Sequence, residues 1–366
     1  MRGPSNREGT AVPFVNGRGA ALLLLAVVAV SLPAWAPGAI VDVLSIALLY
    51  GFLSAAWNIV GGFAGLISVG HAAFFGLGAY GVAVCYVELG MSPYLGILVG
   101  VGAAVASAYL LGFVSFWLPF SGYNFLLLTL SSAELLRALF RTIGTFGGSD
   151  GIIFPFSPGI ATLQFRSGVP YYFIALGLVA GILGLTWLIR NSAFGLRLEC
   201  IRDDEGSALT SGMPTARLKL NALAISAALT ALGGAFYAVM FSFITPDHVF
   251  SLDFSVAMIT GALIGGRGTV WGPVVGGVLT WTLTESLVRL PLGSGVGANL
   301  SVIFYGLALI LIVQRLPRGV VPTLVGEKVR GRLEGGMVLK RWLTSRGTTE
   351  PKSIEQKSVK RSALLP

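Results

Sequence analysis

The sequence is poor in charge, cysteine and histidine. Only 11% of its 366 residues are charged and 54% are hydrophobic, with a mean hydropathy of +0.81. Soluble domains carry about 25% charged residues, so this composition predicts an all-α, polytopic membrane protein. Two cysteines, Cys85 and Cys200, are too few for a disulfide framework. The two histidines, His71 and His248, have no accompanying Cys or Asp cluster, and no metal site is predicted.

Motifs for nucleotide binding and for hydrolysis are also missing from the sequence. There is no G-x-x-x-x-G-K-[ST], G-x-S-x-G or H-E-x-x-H. The apolar segments lack the chain of acids expected of a proton- or sodium-coupled carrier. We therefore predict no enzyme activity and no cofactor. A solute pathway in this chain would depend on passive flow or on energy supplied by a partner.

Long apolar segments are abundant, and they predict about ten transmembrane helices. The segments lie at about 20–35, 39–60, 63–89, 94–118, 122–142, 171–190, 217–242, 254–265, 270–290 and 299–314. Most approach the ~20 residues needed to cross a bilayer, whereas 254–265 is short and is predicted to be a partial or broken span. The first segment also fits a secretory signal peptide. We interpret it as an uncleaved helix because no clear small-x-small site precedes a soluble mature domain.

Basic residues predict which ends of these helices face the cytoplasm. Three arginines lie in the N-terminal segment 1–19, and twelve Lys or Arg against four acids lie in the tail 315–366. With an even number of spans in the transmembrane domain 20–314, both of these segments and the charged segment 190–219 are cytoplasmic, as the positive-inside rule requires. The Gly- and Pro-rich connection 143–170 then faces outward. The basic tail favours a lipid surface over nucleic acid as its neighbour.

The segment 58–80 is rich in glycine and reads NIVGGFAGLISVGHAAFFGLGAY. So many glycines predict a broken helix, or one packed closely on its neighbours. Irregular backbone at membrane depth occurs only where protein or a water-filled cavity covers it. Ser68 and His71 place polar groups beside this backbone. His71 is interpreted either as a functional residue or as a histidine hydrogen-bonded within a helix interface.

A second glycine-rich segment, 261–277, reads GALIGGRGTVWGPVVGG. The two halves of the chain begin on opposite sides of the membrane by the count of spans. Opposite starting sides are typical of an inverted repeat, although the two segments match poorly residue by residue.

Charged residues within the predicted spans are few. Glu134, Arg137 and Arg141 are spaced i, i+3 and i+7, and Glu285 and Arg289 are spaced i, i+4. We interpret Glu134 with Arg137, and Glu285 with Arg289, as ion pairs that make burial of the charges tolerable. Direct contact with a transported solute is the alternative.

The segment Arg190–Lys219 is the only long charged segment between Arg166 and the tail. The acids at 203–205 and the Gly-Met-Pro run at 212–214 predict a short helix at about 203–211. Its length and mixed charge favour docking into a groove of a partner protein. An amphipathic helix lying on the membrane surface is the alternative.

Five blocks carry a resemblance to a known family. They read NIVGGFAGLISVGHAAFFGLGAY, YNFLLLTLSSAELLRALFRTIGTFGGSDGI, SAFGLRLECIRDDEGSALTSGMPTARLKLNALAISAALTALGGAFYA, FITPDHVFSLDFSVAMITGALIGGRGTVWGPVVGG and IFYGLALILIVQRLPRG. Together they span about residues 45–320. The chain resembles the LivM-type permease subunits of branched-chain amino acid ABC importers.

The resemblance implies a multi-pass protein of a bacterial inner membrane with cytoplasmic termini. It implies a second, LivH-like permease subunit, two cytoplasmic ATPases that use the ATP, and a periplasmic binding protein. The loop that receives the ATPase would comprise six residues, Arg202, Asp203, Asp204, Glu205, Ala208 and Gly212. This sequence departs from the family pattern at Gly206 and Ser207, which replace a small helix-forming pair, and at 116–122 (FWLPFSG), where a basic stretch is missing.

We therefore expect a permease that moves branched-chain or similar amino acids inward. The residues expected to line its path are Asn58, Gly65, Ser68, Gly70, His71 and Phe74. The same architecture serving urea, short amides or aromatic acids is one alternative. A stand-alone channel or facilitator and a scaffold without transport are the others.

Overall fold

The computed structural model of the protein describes residues 27–117, 122–288 and 319–325, together with positions 306, 307, 310 and 314. The predicted N-terminal segment 1–19, most of the last predicted span and most of the basic tail lie outside the described residues. The chain divides into two units, Met1–Val321 and Pro322–Pro366. Only residues 322–325 of the second unit are described, and they are helical.

Helices make up most of the described chain, in agreement with the all-α prediction. In order they are α1 (Gly38–Asn58), α2 (His71–Ala83), α3 (Pro93–Trp117), α4 (Gly122–Thr142), α5 (Val169–Asn191), α6 (Ala193–Asp203), α7 (Glu205–Thr210), α8 (Thr215–Phe241), α9 (Pro246–Val249), α10 (Leu252–Gly265), α11 (Gly272–Val288) and α12 (Val320–Val325). Residues 27–31 are also helical, and a 3-10 turn follows at Leu32–Ala34. Another 3-10 turn lies at Gly144–Phe146, and π-helical turns follow α1 at Ile59–Phe63 and α2 at Val84–Glu88. Two-residue strands, β1 (Ile152–Ile153) and β2 (Phe243–Ile244), pair antiparallel with Ile152 opposite Ile244.

Five helical segments of the described residues are long and apolar enough to cross a membrane. They are Gly38–Phe63, Pro93–Phe116, Val169–Asn191, Thr215–Phe241 and Pro246–Gly265. The multi-pass prediction is thereby supported, and the total of about ten spans stays a prediction. The predicted span at 63–89 divides into an irregular stretch at 64–70 followed by α2 and its π-helical turn, so the expected break in the glycine-rich segment is present.

Helix α2 lies at the centre of the protein and packs against α3 and α8. Glycines allow these helices to touch through their backbones. A Cβ on Gly78 of α2 would overlap the carbonyl of Ala231 in α8, and one on Gly234 of α8 would overlap the carbonyl of Phe75 in α2. This crossing is closer than larger residues would permit, as is usual for small residues between membrane helices.

Helix α1 forms a second centre of packing, against α5, α10 and α11. Gly277 of α11 faces α1 so closely that an added Cβ would lie 2.7 Å from the Cα of Gly51. Helices α1 and α2 are therefore buried on several sides, whereas α3 and α5 keep large apolar residues exposed, such as Leu98, Leu110 and Trp187. Exposed apolar faces of this kind suit contact with lipid or with another membrane subunit.

Contacts between the loops define two ends of this helical unit. At one end β1 pairs with β2, the Tyr94 hydroxyl donates to the carbonyl of Ile160 at 2.8 Å, and Arg141 lies 3.8 Å from Asp247. At the other end Arg202 contacts the turn after α1. The connection 143–170 and the charged segment 190–219 thus belong to opposite ends, and the assignment of these ends to the outside and the cytoplasm stays a prediction.

The two glycine-rich segments meet at the same end of the helices. The amide of Asn58 bonds the backbone of Gly268 and Thr269. Whether the two segments are equivalent parts of an inverted repeat stays a prediction.

Candidate functional site

The short helix α7 lies in the middle of the charged segment 190–219. Asp204 caps it: the carboxylate accepts hydrogen bonds from the Ser207 hydroxyl at 2.5 Å and from the Ser207 backbone N–H at 3.1 Å. Gly212 follows with a φ of +78°, a conformation that favours glycine. The predicted helix 203–211 is shorter in the structure, at Glu205–Thr210, because Asp203 ends α6 and Asp204 serves as the cap.

Hydrogen bonds to the capping residue Asp204 stabilise the ionised form of its carboxyl group. The pKa of the Asp204 carboxyl is lowered, because the Ser207 hydroxyl and then the Ser207 backbone N–H donate to its ionised form. Asp204 therefore carries a negative charge at neutral pH, next to the N–H groups at the start of α7 that have no acceptor within the helix.

Two side chains fix α7 to the helices beneath it. Ala208 is buried in an apolar cluster that includes Leu198 and Ile201 of α6. Glu205 forms an ion pair with Lys219 of α8, a residue that is itself buried. A buried ammonium group requires such a partner, because leaving it unpaired costs several kcal/mol. The other side of α7 is exposed, including Leu209 at 54%, and this face is accessible to another molecule.

Arg202, at the end of α6, connects the charged segment to the glycine-rich segment. Its Nη1 donates to the carbonyl of Gly62 at 3.1 Å, and its Nε and Nη2 each lie 3.1 Å from Asp203 Oδ1. Of the six predicted coupling residues, five (202–205 and 208) therefore make contacts that shape the loop. Gly212 contributes its backbone conformation.

The irregular stretch 64–70 is held by buried polar side chains. The Trp57 indole N–H donates to the carbonyl of Ser68 at 2.8 Å. His71 Nδ1 lies 3.0 Å from the Ser68 hydroxyl, and Nε2 lies 2.9 Å from the hydroxyl of Ser226 in α8. The Ser226 hydroxyl donates to the carbonyl of Ala56 at 2.7 Å. It therefore accepts from Nε2–H, which leaves Nδ1 to accept from Ser68.

The predicted path residues are mostly inaccessible within this chain. Asn58, Ser68, His71 and Phe74 are fully buried, and Gly70 is buried with no room for a side chain against the backbone of Thr129. Gly65 is exposed and has a φ of +73°. A solute could reach the buried set only after these helices rearrange, so their role in a path stays a prediction.

The predicted ion pairs have different outcomes. Arg137 Nη2 lies 2.8 Å from Glu134 Oε2, and Arg137 also approaches Asp247 at 4.0 Å. The Glu134–Arg137 pair is partly exposed, with 38% of each side chain accessible, and the contact of Arg137 with Asp247 connects α4 to α9. Glu285 lies in α11, whereas Arg289 lies outside the described residues, so the second pair stays a prediction.

Sequence reasoning missed the partners of these residues on distant parts of the chain. Ser226 is one: it and Thr230 are hydroxyl residues four apart in apolar α8, which places them on one helix face. The pairing of Lys219 with Glu205 is another. The backbone of Gly268 and Thr269 carried no signal, because main-chain partners leave no mark in a sequence. Among the described residues, no group of three or more His, Cys, Asp or Glu could hold a metal ion.

Comparisons with known proteins agree with this architecture. A family model described as the permease component of branched-chain amino acid transport systems matches residues 39–313. The chain is 27% identical, over 292 residues, to the high-affinity branched-chain amino acid transport system permease protein LivM of Salmonella typhimurium, and 26% identical to that of Escherichia coli. Each alignment covers 73% of this chain and 68% of the relative.

Similarity extends to a protein named for another solute. The chain is 29% identical over 150 residues to the ribose import permease protein RbsC of Bacillus subtilis, which covers 40% of this chain and 45% of the relative.

Proposed function

The chain belongs to the family of permease components of branched-chain amino acid transport systems, and on this basis we propose that it is the membrane subunit of an ATP-driven importer. Its solutes are branched-chain or similar amino acids. Its loop Arg202–Gly212 receives movement from ATPase subunits bound at the cytoplasmic side. Hydrolysis of ATP takes place on those partners.

The anchoring of α7 is the observation that carries this proposal. One face of α7 is exposed, while Ala208, the Glu205–Lys219 pair and Arg202 tie the loop to α6, α8 and the turn after α1. A partner that pushed on the exposed face would therefore move membrane helices rather than a loose loop. A helix that only lay on the lipid surface would not need these internal anchors.

The proposed complex contains four further proteins, as is typical of importers. These are a second, LivH-like permease, two cytoplasmic ATPases and a periplasmic substrate-binding protein. The chain would lie in the inner membrane of a bacterium with both termini in the cytoplasm. The basic tail would then contact the anionic inner leaflet.

The solute is proposed from the names of the relatives, two of which specify branched-chain amino acids. The ribose permease shows that similar chains are named for other solutes. Transport of urea, short amides or aromatic acids by the same architecture is the alternative. A stand-alone channel is the rival in a different class.

Copurification with ATPases distinguishes the importer from the stand-alone channel. We expect the tagged chain, expressed with candidate ABC ATPases of the same bacterium, to retain its partner ATPases through detergent purification, because α7 offers a fixed exposed surface. The variant Leu209→Asp should lose them, whereas Gly184→Ala on α5, where nothing lies within 4 Å of an added Cβ, should not. Purification of the wild-type chain without any ATPase, together with solute flux through the chain alone, would favour the channel.

A further inference from the structure

Three separate segments of the chain meet at one point beside the charged segment. They are the end of α6 at Arg202, the π-helical turn after α1 at Gly62, and the loop before α11 at Gly268 and Thr269. Arg202 Nη1 donates to the carbonyl of Gly62 at 3.1 Å. We call the group formed by Arg202, Gly62, Asn58, Gly268 and Thr269 the Arg202 clasp.

Asn58 joins the two glycine-rich segments within the clasp. Its Oδ1 accepts from the backbone N–H of Gly268 at 2.8 Å, and its Nδ2 donates to the carbonyl of Thr269 at 3.0 Å. The side chain is fully buried, so the amide of Asn58 itself has no contact with water. The loop before α11 is therefore held to the end of α1 by a side chain that has no solvent to replace its partners.

Small residues bring the clasp together. A Cβ on Gly62 would overlap Asn58 Oδ1 and would lie 2.6 Å from the backbone nitrogen of Gly268. A Cβ on Gly268 would lie 3.0 Å from Arg202 Nη1, and one on Gly65 would lie 2.7 Å from Arg202 Cγ. Gly65 and Gly268 also have φ values of +73° and +74°. Arg202 thus lies against both glycine-rich segments, and the space between Arg202 and these segments is too small for an added side chain.

Arg202 divides its donors between this junction and its sequence neighbour, the exposed Asp203. Nη1 bonds Gly62, while Nε and Nη2 face Asp203, and 31% of the side chain is accessible. Asp203 holds the guanidinium plane in place. Arg197, on the same helix, is exposed.

We propose that Arg202 is a positioning residue that passes movement of the α6–α7 loop to both glycine-rich segments, through Gly62 directly and through Asn58 to the loop before α11. Without the clasp, the ATPases would still bind and hydrolyse ATP, but hydrolysis would drive less solute transport. This inference rests on the proposed function for its transport readout. Its structural part concerns the chain alone.

The structural part is tested by hydrogen exchange on the purified full-length chain. In Arg202→Ala we expect faster exchange of backbone amides in both 62–70 and 266–271, relative to wild type and to the matched control Arg197→Ala. Arg202→Lys, which can still donate to Gly62, should recover part of the protection. Unchanged exchange in 266–271 would overturn the proposal, because the two segments would then not be joined through Arg202.

The functional part is tested on the complete complex in proteoliposomes. We expect Gly62→Ala, whose added methyl group would overlap Asn58 Oδ1 and the backbone of Gly268, to retain its ATPases and to hydrolyse ATP, because the charged segment is unchanged. Its solute uptake per ATP should fall about tenfold, the scale of one overpacked contact. Arg202→Ala should lower uptake per ATP as well, and Arg202→Lys should recover part of it. Loss of the ATPases from Gly62→Ala, or uptake per ATP equal to wild type in that variant, would contradict the proposal.

Failure of the proposed function would look different. A wild-type chain that neither binds ATPases nor transports would reject the importer, while the hydrogen-exchange result would still decide whether the clasp exists. Gel filtration of each variant separates a folding defect from a loss of coupling. If Gly62→Ala does not fold, hydrogen exchange in Arg202→Ala and Arg202→Lys still decides whether the clasp joins the two segments.

Discussion

At the scale of single residues, buried hydroxyl groups hold the irregular backbone between α1 and α2. The Ser226 hydroxyl accepts a hydrogen bond from Nε2–H of His71 and donates one to the carbonyl of Ala56. Ser68 completes the chain on the other ring nitrogen. Ser68, His71 and Ser226 are all buried. Removal of any one of these side chains would therefore leave a polar group with neither its partner nor water to bond.

Replacement of Ser226 tests this network. Ser226→Ala leaves the Nε2–H of His71 without an acceptor, and we expect a loss of about 1–3 kcal/mol in stability, the cost of an unsatisfied buried donor. The apparent melting temperature in detergent should fall. Thr282→Ala is the matched control, because Thr282 donates to the carbonyl of Val278 within its own helix. Equal melting temperatures for the two variants would contradict the role given to Ser226.

Asp204 gives the charged segment a pH dependence. Its pKa is lowered in the folded chain, so the carboxylate stabilises α7 fully above the ordinary value of 3.8 and progressively less as pH falls through the lower folded value. We expect the amides of 207–210, corrected for intrinsic rates, to lose protection only at such acidic pH. In Asp204→Asn, which keeps a capping oxygen without a titrating group, protection should change little over that range. A loss of protection near neutral pH in the wild type would contradict this assignment.

At the scale of elements, the close crossing of α2 and α8 depends on two glycines. Gly78 and Gly234 each face a backbone carbonyl of the other helix with no space for a methyl group. The crossing fixes α8, which carries Lys219 at one end and Ser226 near its middle. The position of the charged segment therefore depends on this packing.

Alanine at one of these glycines should separate the helices. We expect Gly78→Ala to destabilise the protein by about 1–3 kcal/mol, as overpacking does, and to lower the apparent melting temperature. Gly184→Ala on α5 should be neutral or slightly stabilising, because it meets open space and removes a flexible residue from a helix. A Gly78→Ala variant as stable as Gly184→Ala would show that the crossing tolerates separation.

The elements also show which structural features a sequence reveals. Apolar length predicted α1, α3, α5 and α8 closely, since each is an uninterrupted run of the length a bilayer requires. The glycine content of 58–80 predicted a break. The exact break, at 64–70, is held by Trp57 of the preceding helix and by Thr129 of α4, and Ser226 of α8 bonds His71 directly after it. Thr129 and Ser226 are too distant in sequence to be predicted from local composition.

At the site, acids and the Gly-Met-Pro run predicted a short helix within one turn of its true position. The pairing of Glu205 with Lys219 and of Arg202 with Gly62 was not predicted. Charge alone permits many pairings, and only the packing of α6 against α8 and the end of α1 selects these. The resemblance implied that the loop receives the ATPase, whereas the way the loop is anchored is visible only in the fold.

At the scale of the whole molecule, the loops separate into two groups at opposite ends of the helices. The charged segment, the turn after α1 and the loop before α11 form one group. The connection 143–170 and the α8–α9 region form the other. By the positive-inside rule, basic residues predict that the first group faces the cytoplasm.

Cysteine labelling tests this orientation. Cys200 is exposed in the charged segment and Cys85 is buried, so a membrane-impermeant maleimide should leave Cys200 unlabelled in intact spheroplasts and label it in inverted vesicles. With Cys200 replaced by Ser, the variant Ser149→Cys, in the exposed connection 143–170, should show the reverse. Labelling of Cys200 from outside would contradict the orientation and with it the site of ATPase docking.

The central claim, that this chain conducts solute only when ATPases act on its α6–α7 loop, is tested most directly by uptake of radiolabelled leucine into proteoliposomes. The complete complex with its binding protein should accumulate leucine when ATP is present on the ATPase side. Omission of ATP, or of the ATPases, should abolish uptake. Equal leucine uptake by the chain alone, without ATPases or ATP, would contradict the account.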